Sequence, residues 1–160
     1  MNNLKEKVVN QNATLTMLFR IGKSLYGLDT SIVQEVVRVG ELTTVPGAPK
    51  DIVGVRNLRG KIVTVIDLAI QLNVDSKPRS SENRLVLLEH YGDSYGFLVD
   101  SVSEAVIIKE EEIMPPTSNL DLEYTHSLRG LWRTGNDIVS IIDPEKIFNW
   151  RIDSEHSLSL

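Results

Sequence analysis

The sequence predicts an all-β protein built from small barrels, with helix confined to short connectors. Apolar and polar residues alternate with a period of two in short runs, as in Leu15, Met17, Phe19 and Ile21, which is the pattern of a half-buried strand. Glycine, proline and asparagine punctuate these runs at turn-sized intervals. The chain also uses one β unit twice. Gly54 to Leu68, GVRNLRGKIVTVIDL, returns 76 residues later as GLWRTGNDIVSIID, Gly130 to Asp143. Upstream, Tyr26, Gly27, Leu28, Val33 and Glu35 are echoed at an offset of 69 by Tyr95, Gly96, Phe97, Val102 and Glu104. Two copies are too few for a solenoid, so the repeat points to a fused pair of small subdomains, with units of about 14–73 and 84–149.

Residues 1–13 are polar and aperiodic and read as a flexible tail, and residues 150–160 read as a second one. From Thr14 the alternation runs to Gly22-Lys23 and resumes over Ser24 to Leu28, a hairpin. Asp29 to Ser31 offers capping side chains for a short helical turn before Glu35 to Arg38 extends again. Val45-Pro46-Gly47-Ala48-Pro49 is a rigid connector, because its prolines cannot sit in a central strand. Gly54 to Asn57 and Lys61 to Ile66 meet at Leu58-Arg59-Gly60, where glycine supplies the positive φ that a tight turn demands. The run Ile62-Val63-Thr64-Val65-Ile66 is apolar on both faces and is expected to be buried on both sides. Asp67 caps a short helix over Leu68 to Leu72, and Asp143 with Pro144 caps another from Glu145 to Trp150. Asp75 to Asn83, polar and lacking an apolar period, is the joint between the copies. The stretch Lys109 to Arg129 is longer than its counterpart and accounts for the growth of the offset from 69 to 76.

Composition removes several function classes. With 41% apolar and 24% charged residues in 160, the chain is large and apolar enough to bury a core without staples. It has no cysteine, which excludes disulfides, thiolate metal sites and cysteine nucleophiles. The amino terminus, MNNLKEKVVNQN, has no signal-peptide core, and no apolar run approaches a membrane span, so a cytoplasmic protein is expected. A net charge of −5 argues against non-specific phosphate binding.

A search for chemistry finds little. His90, His126 and His156 share no metal-ligand spacing. Asp67 and Asp143 occupy equivalent positions and would make an acid–base pair only if they faced one cleft; helix capping accounts for both. No phosphate loop, nucleophile elbow or zinc motif occurs. Glu110-Glu111-Glu112 reads as a solvated loop. Arg56, Arg59 and Lys61 form a basic patch without the aromatic platform that single-stranded RNA needs. Arg59 has two readings, a salt bridge, with Glu35 as one candidate partner, and an anchor in a protein interface.

Taken together, Val33-Gln34-Glu35-Val36, Val45 to Pro49, Gly54-Val55-Arg56-Asn57-Leu58-Arg59-Gly60, Val65-Ile66-Asp67-Leu68 and Gly96 to Val102 closely resemble the CheW family of bacterial chemosensory coupling proteins. The resemblance covers residues 14–149. It implies two intertwined five-stranded SH3-like barrels and a non-enzymatic adaptor. Such an adaptor ties the cytoplasmic tips of chemoreceptors to the regulatory domain of a CheA-type histidine kinase, within membrane receptor arrays. By similarity the receptor-facing surface includes Val33, Glu35, Arg59, Val99 and Val102, and the kinase-facing surface Gly54 and Gly60. The resemblance implies no cofactor, metal, nucleic acid or membrane insertion, and it leaves room for self-association into rings. The alternative is a small-barrel peptide- or RNA-binding module outside chemosensing. Arg56 and Trp132 depart from the family pattern, and exposure of either would imply altered partner choice.

Overall fold

The alternating segments form ten strands in a computed structural model, which describes residues 12–116 and 126–149. In chain order they are β1 (Ala13–Ile21), β2 (Ser24–Asp29), β3 (Glu35–Arg38), β4 (Ile52–Leu58), β5 (Lys61–Asp67), β6 (Arg84–His90), β7 (Asp93–Val99), β8 (Ser101–Lys109), β9 (Leu128–Thr134) and β10 (Asp137–Ile142). Helix α1 (Leu68–Leu72) follows β5, and α2 (144–149) follows β10. Each helix begins where the sequence places its cap. Asp67 Oδ1 accepts from the backbone N–H of Ala69 at 3.0 Å, and Asp143 Oδ1 from that of Glu145 at 3.1 Å. A 3₁₀ turn over Thr30–Ile32 is capped in the same way by Asp29. Residues 1–11 and 150–160 of the expected tails, with His156 and residues 117–125 of the long loop, lie outside the described residues, and the first tail is shorter than expected because Ala13 is buried as the first residue of β1, paired with Lys109.

The strands assemble into two five-stranded sheets, ordered β8-β1-β2-β10-β9 and β3-β6-β7-β5-β4. Neither sheet is one copy of the sequence repeat. The first takes β1 and β2 from one copy and β8, β9 and β10 from the other, and the second sheet has the reverse composition. Four pairings join strands from different copies, the parallel β10–β2 and β5–β7 and the antiparallel β1–β8 and β3–β6. The two subdomains are therefore intertwined, and neither is a contiguous half of the chain.

Each sheet closes on itself through one backbone bridge at equivalent repeat positions. Thr43 and Val55 exchange both hydrogen bonds at 2.8 and 2.9 Å, and Met114 and Leu131 do the same at 2.8 Å. The close approach requires a residue without a side chain next to the bridge. A Cβ on Gly54 would lie 2.7 Å from the Thr43 carbonyl oxygen, and one on Gly130 would lie 2.6 Å from that of Met114.

Three cores result. Leu18, Leu25, Ile108, Trp132, Val139 and Ile141 fill the first barrel. Val63, Val65, Leu85, Leu87 and Leu98 fill the second. The largest core lies between the barrels, where Met17, Phe19 and Leu28 meet Val86, Phe97 and Val99 beneath Leu68, Leu72, Ile147 and Phe148 of the helices. Strands buried on both faces are thus β1, β2, β6 and β7, whose residues serve a barrel interior and the shared core. The expectation for Ile62 to Ile66 is corrected: Val63, Val65 and Ile66 are buried, but Ile62 is 59% exposed. Only the end of β5 reaches the shared core, through Ile66.

Candidate functional site

The seam between β3 and β4, the outer strands of the second sheet, carries most of the polar side chains singled out in the sequence. Arg59 has a positive φ of 51° in the β4–β5 turn, which lifts its guanidinium toward β3. There it forms an ion pair with Glu35, with a second contact from Nη1 to Oε1 at 3.4 Å. Both side chains remain open to solvent, 67% and 41% exposed respectively. The pair lines a shallow hollow with Gln34, Leu58, Lys61 and Ser94. Lower on the seam, Arg56 reaches from β4 to the backbone carbonyl of Arg38 and lies against Gly40. Lys61 pairs with Glu89 at 3.6 Å. The basic patch of Arg56, Arg59 and Lys61 is therefore answered side chain by side chain, which leaves it poorly suited to a phosphate backbone.

The valines behave differently. Val33 and Val102 are half-buried and pack against the rim of the shared core. Val99 is only 1% exposed within that core, so its side chain has no path to a partner surface while the protein is folded. Gly60 follows Arg59 in the same turn, with φ of 85° and open space where a Cβ would stand. Gly54 is buried beside the barrel-closing bridge, six residues earlier on β4. The structure thus brings Glu35, Arg59 and Gly60 together at one end of the seam and sets Gly54 inside the fold.

The equivalent seam of the first barrel, between β8 and β9, uses other side chains. Trp132, which corresponds to Arg56 in the repeat, is 9% exposed and donates from Nε1 to Glu112 Oε2 at 3.0 Å. Arg129 forms an ion pair with Glu110. The three glutamates are exposed, as expected of a solvated run, yet Glu110 and Glu112 each also meet a side chain of β9, with Glu111 between them in a 3₁₀ turn. Nothing in the local sequence pairs Glu112 with Trp132. The only signal was the repeat, which sets Trp132 at the position of another seam residue.

Among the described residues, Asp67, Asp143 and His90 each have structural partners. Asp67 and Asp143 each cap their own helix, so the acid–base pairing weighed from the sequence is not formed. Among the described residues no group of three or more His, Asp or Glu side chains is placed to hold a metal. His90 is stacked on Phe148, with ring centroids 4.1 Å apart. A family model described as the CheW-like domain matches residues 16–151. The chain belongs to the CheW-like family.

Its relatives bear this out. The chemotaxis protein CheW of Klebsiella aerogenes is 31% identical over 134 residues, covering 83% of this chain and 80% of that one. That of Bacillus subtilis is 26% identical over 143 residues, covering 89% of each. The crystal structure of the scaffolding protein TtCheW from Thermoanaerobacter tengcongensis superimposes with a TM-score of 0.78 at 33% identity, over 84% of this chain and 87% of that one. A CheW-like domain on this scaffold makes the protein a chemotaxis coupling adaptor, and the RNA- or peptide-binding alternative finds no support among these matches. Arg56 and Trp132, expected to alter partner choice if exposed, both act within the fold: Trp132 is buried, and Arg56 is tied to the opposite strand.

Proposed function

We propose that this CheW-like protein bridges the cytoplasmic tip of a chemoreceptor and the regulatory domain of a CheA-type histidine kinase, and itself catalyses no reaction. The observation that carries this reading is the Glu35–Arg59 pair, a solvent-open pair of opposite charges mounted on a rigid closed barrel. Arginine is enriched at the energetic centres of protein interfaces. A pair of modest worth to the fold is free to exchange partners when a receptor helix supplies its own charges.

The receptor contact takes in Glu35 and Arg59 directly, with Val33 and Val102 offering apolar area at the rim of the shared core. Val99 contributes by packing beneath that rim. An amphipathic helix laid against such a rim buries its apolar stripe while its charged flank meets the ion pair. Gly60 belongs to the same turn as Arg59, and on this reading its part in kinase contact is to let the turn approach a partner backbone. Gly54 acts on kinase binding through the shape of the barrel. Among the described residues no helix is long and apolar enough to cross a membrane, and on this reading the protein joins membrane receptor arrays through its partners, with ring-forming self-association among the barrels a further expectation.

The test is co-sedimentation with a receptor signalling fragment and a CheA-type kinase, scored by kinase autophosphorylation with and without this protein. A ternary complex with altered kinase activity is expected. Failure to bind either partner by the folded protein would overturn the proposal.

A further inference from the structure

A groove of about 370 Å³ lies between the barrels on one side of the molecule, within the size range of small-molecule sites. Ile32, Ile113 and Phe148 give it apolar walls. Its charge is one-sided, with Asp29, Glu89, Asp143 and Glu145 lining it against the single basic side chain of Arg129. Arg129 is already paired with Glu110, and Glu89 with Lys61. Among the described residues, Asp29, Asp143 and Glu145 have no lysine or arginine partner.

Topology sets two of these carboxylates side by side. Strands β2 and β10 run parallel, with Gly27 opposite Ile141. Carried two residues further, the same register places Asp29 beside Asp143, with roughly 5 Å between the backbones. Each spends one oxygen on its own cap, Asp29 Oδ1 on the N–H of Ser31 and Asp143 Oδ1 on that of Glu145. Neither Oδ2 has a partner among the described residues. His90 lines the same groove with a side chain only 10% exposed. Its Nδ1 lies 3.5 Å from Glu145 Oε1, which draws the proton of the neutral ring to that side and leaves Nε2 an acceptor. That nitrogen is buried with no hydrogen-bond partner among the described residues, a costly state. The groove thus has acceptors and negative charge in excess, and a cation rich in N–H donors answers both.

The internal repeat shows which cation the equivalent carboxylate takes. At the two offsets Asp143 corresponds to Asp67, Asp29 to Leu98 and Tyr91 to Gly22. Asp67 stands opposite Leu98 in the β5–β7 register, and the guanidinium of Arg79 lies 3.9 Å from its Oδ2. The open groove has the same carboxylate and adds a second one where its counterpart has leucine. The segment that carries Arg79 passes over Gly22, where a Cβ would stand 2.3 Å from the Asp75 carbonyl oxygen. At that place the open groove has Tyr91, 90% exposed, so a chain cannot cross by the same route. A compact free molecule can still enter.

We propose that this groove binds a small organic guanidinium, its cation bridging Asp29 and Asp143 and its alkyl or aryl body lying against Ile32, Ile113 and Phe148. A planar guanidinium can meet two carboxylates and still offer an N–H to a third acceptor such as His90, whereas an ammonium is a point charge. The site is separate from the Glu35–Arg59 pair and does not depend on the adaptor role. The test titrates the full chain with n-butylguanidinium and follows the methyl resonances of Ile32 and Ile113, which should shift saturably while those of Ile62 and Val53 stay in place. n-Butylammonium should bind about five-fold more weakly or worse, and pentanoate not at all. Asparagine caps helices as well as aspartate does, so the double variant Asp29→Asn, Asp143→Asn should melt as the parent does and bind n-butylguanidinium about ten-fold more weakly. If the variant does not fold, the ranking of the three probes on the parent decides. The proposal fails if no saturable shift is seen, if pentanoate binds as well, or if the folded variant binds as tightly as the parent. It fails equally if the groove methyls ignore n-butylguanidinium and move only on adding a receptor fragment, since the groove then serves a protein partner.

Discussion

Arg59 on the β4–β5 turn holds Glu35 on β3, so the outermost strands of one sheet are linked by an ion pair exposed to solvent. Thr43 and Val55 already close the same seam through two backbone hydrogen bonds, and the ion pair is an addition to a finished barrel. A pair this exposed contributes about 0–1 kcal/mol. Arg59→Ala should therefore leave the melting temperature within about 2–4 °C of the parent while weakening receptor-dependent control of the kinase. A large fall in melting temperature would return Arg59 to a structural role.

The two glycines proposed to act in kinase binding should separate on substitution. Gly60→Ala meets open space and pays only for its positive φ, a cost of about 1–2 kcal/mol. Gly54→Ala drives a Cβ into the Thr43 carbonyl beside the closing bridge and should cost more, about 2–3 kcal/mol. Urea unfolding of both variants decides the matter. Equal losses would mean that the bridge yields easily.

Trp132 both fills the first barrel and donates to Glu112. Trp132→Phe keeps most of the packing and loses the hydrogen bond, for about 1 kcal/mol, whereas Trp132→Ala leaves a cavity and should cost about 3–5 kcal/mol. Glu112→Ala should match the phenylalanine variant in denaturant unfolding. If it is silent, the hydrogen bond contributes nothing.

Because each sheet draws strands from both copies of the repeat, neither half can complete a sheet alone. Fragments 1–78 and 79–160 should each lack cooperative unfolding when purified separately and should regain one joint transition when mixed. Independent folding of either fragment, seen by circular dichroism, would contradict the exchanged topology.

Burial holds the Tyr26 phenol above its ordinary value of 10.0, and only partial relief comes from its hydrogen bond with Ser24. The unfolded chain then releases this proton at lower pH than the folded one. Tyr26 stabilises fully below about pH 10, and that stability is lost as pH rises through the higher folded value. Melting temperatures taken between pH 8 and pH 11 should fall more steeply for the parent than for Tyr26→Phe. Parallel curves would exclude Tyr26 as the source.

The sequence by itself determined the strands and turns of the first copy and both helix caps, because period-two alternation, positive-φ glycines and capping aspartates act over a few neighbouring residues. It also determined that the unit is used twice, and through its signature blocks the family. The tertiary structure decided which strand joins which sheet. Pairings such as Gly27 with Ile141 connect residues more than a hundred positions apart, and no local pattern distinguishes a strand that stays with its own copy from one that crosses to the other. The same limit governs the site. Val33, Val99 and Val102 look alike in the sequence, yet Val99 is sealed in the shared core and the other two sit at its rim. Ile62 and Ile66 lie on one apolar strand, but only Ile66 lies in the shared core, where the first barrel covers it. Burial of an apolar side chain depends on what packs above it, and here the cover comes from distant parts of the chain.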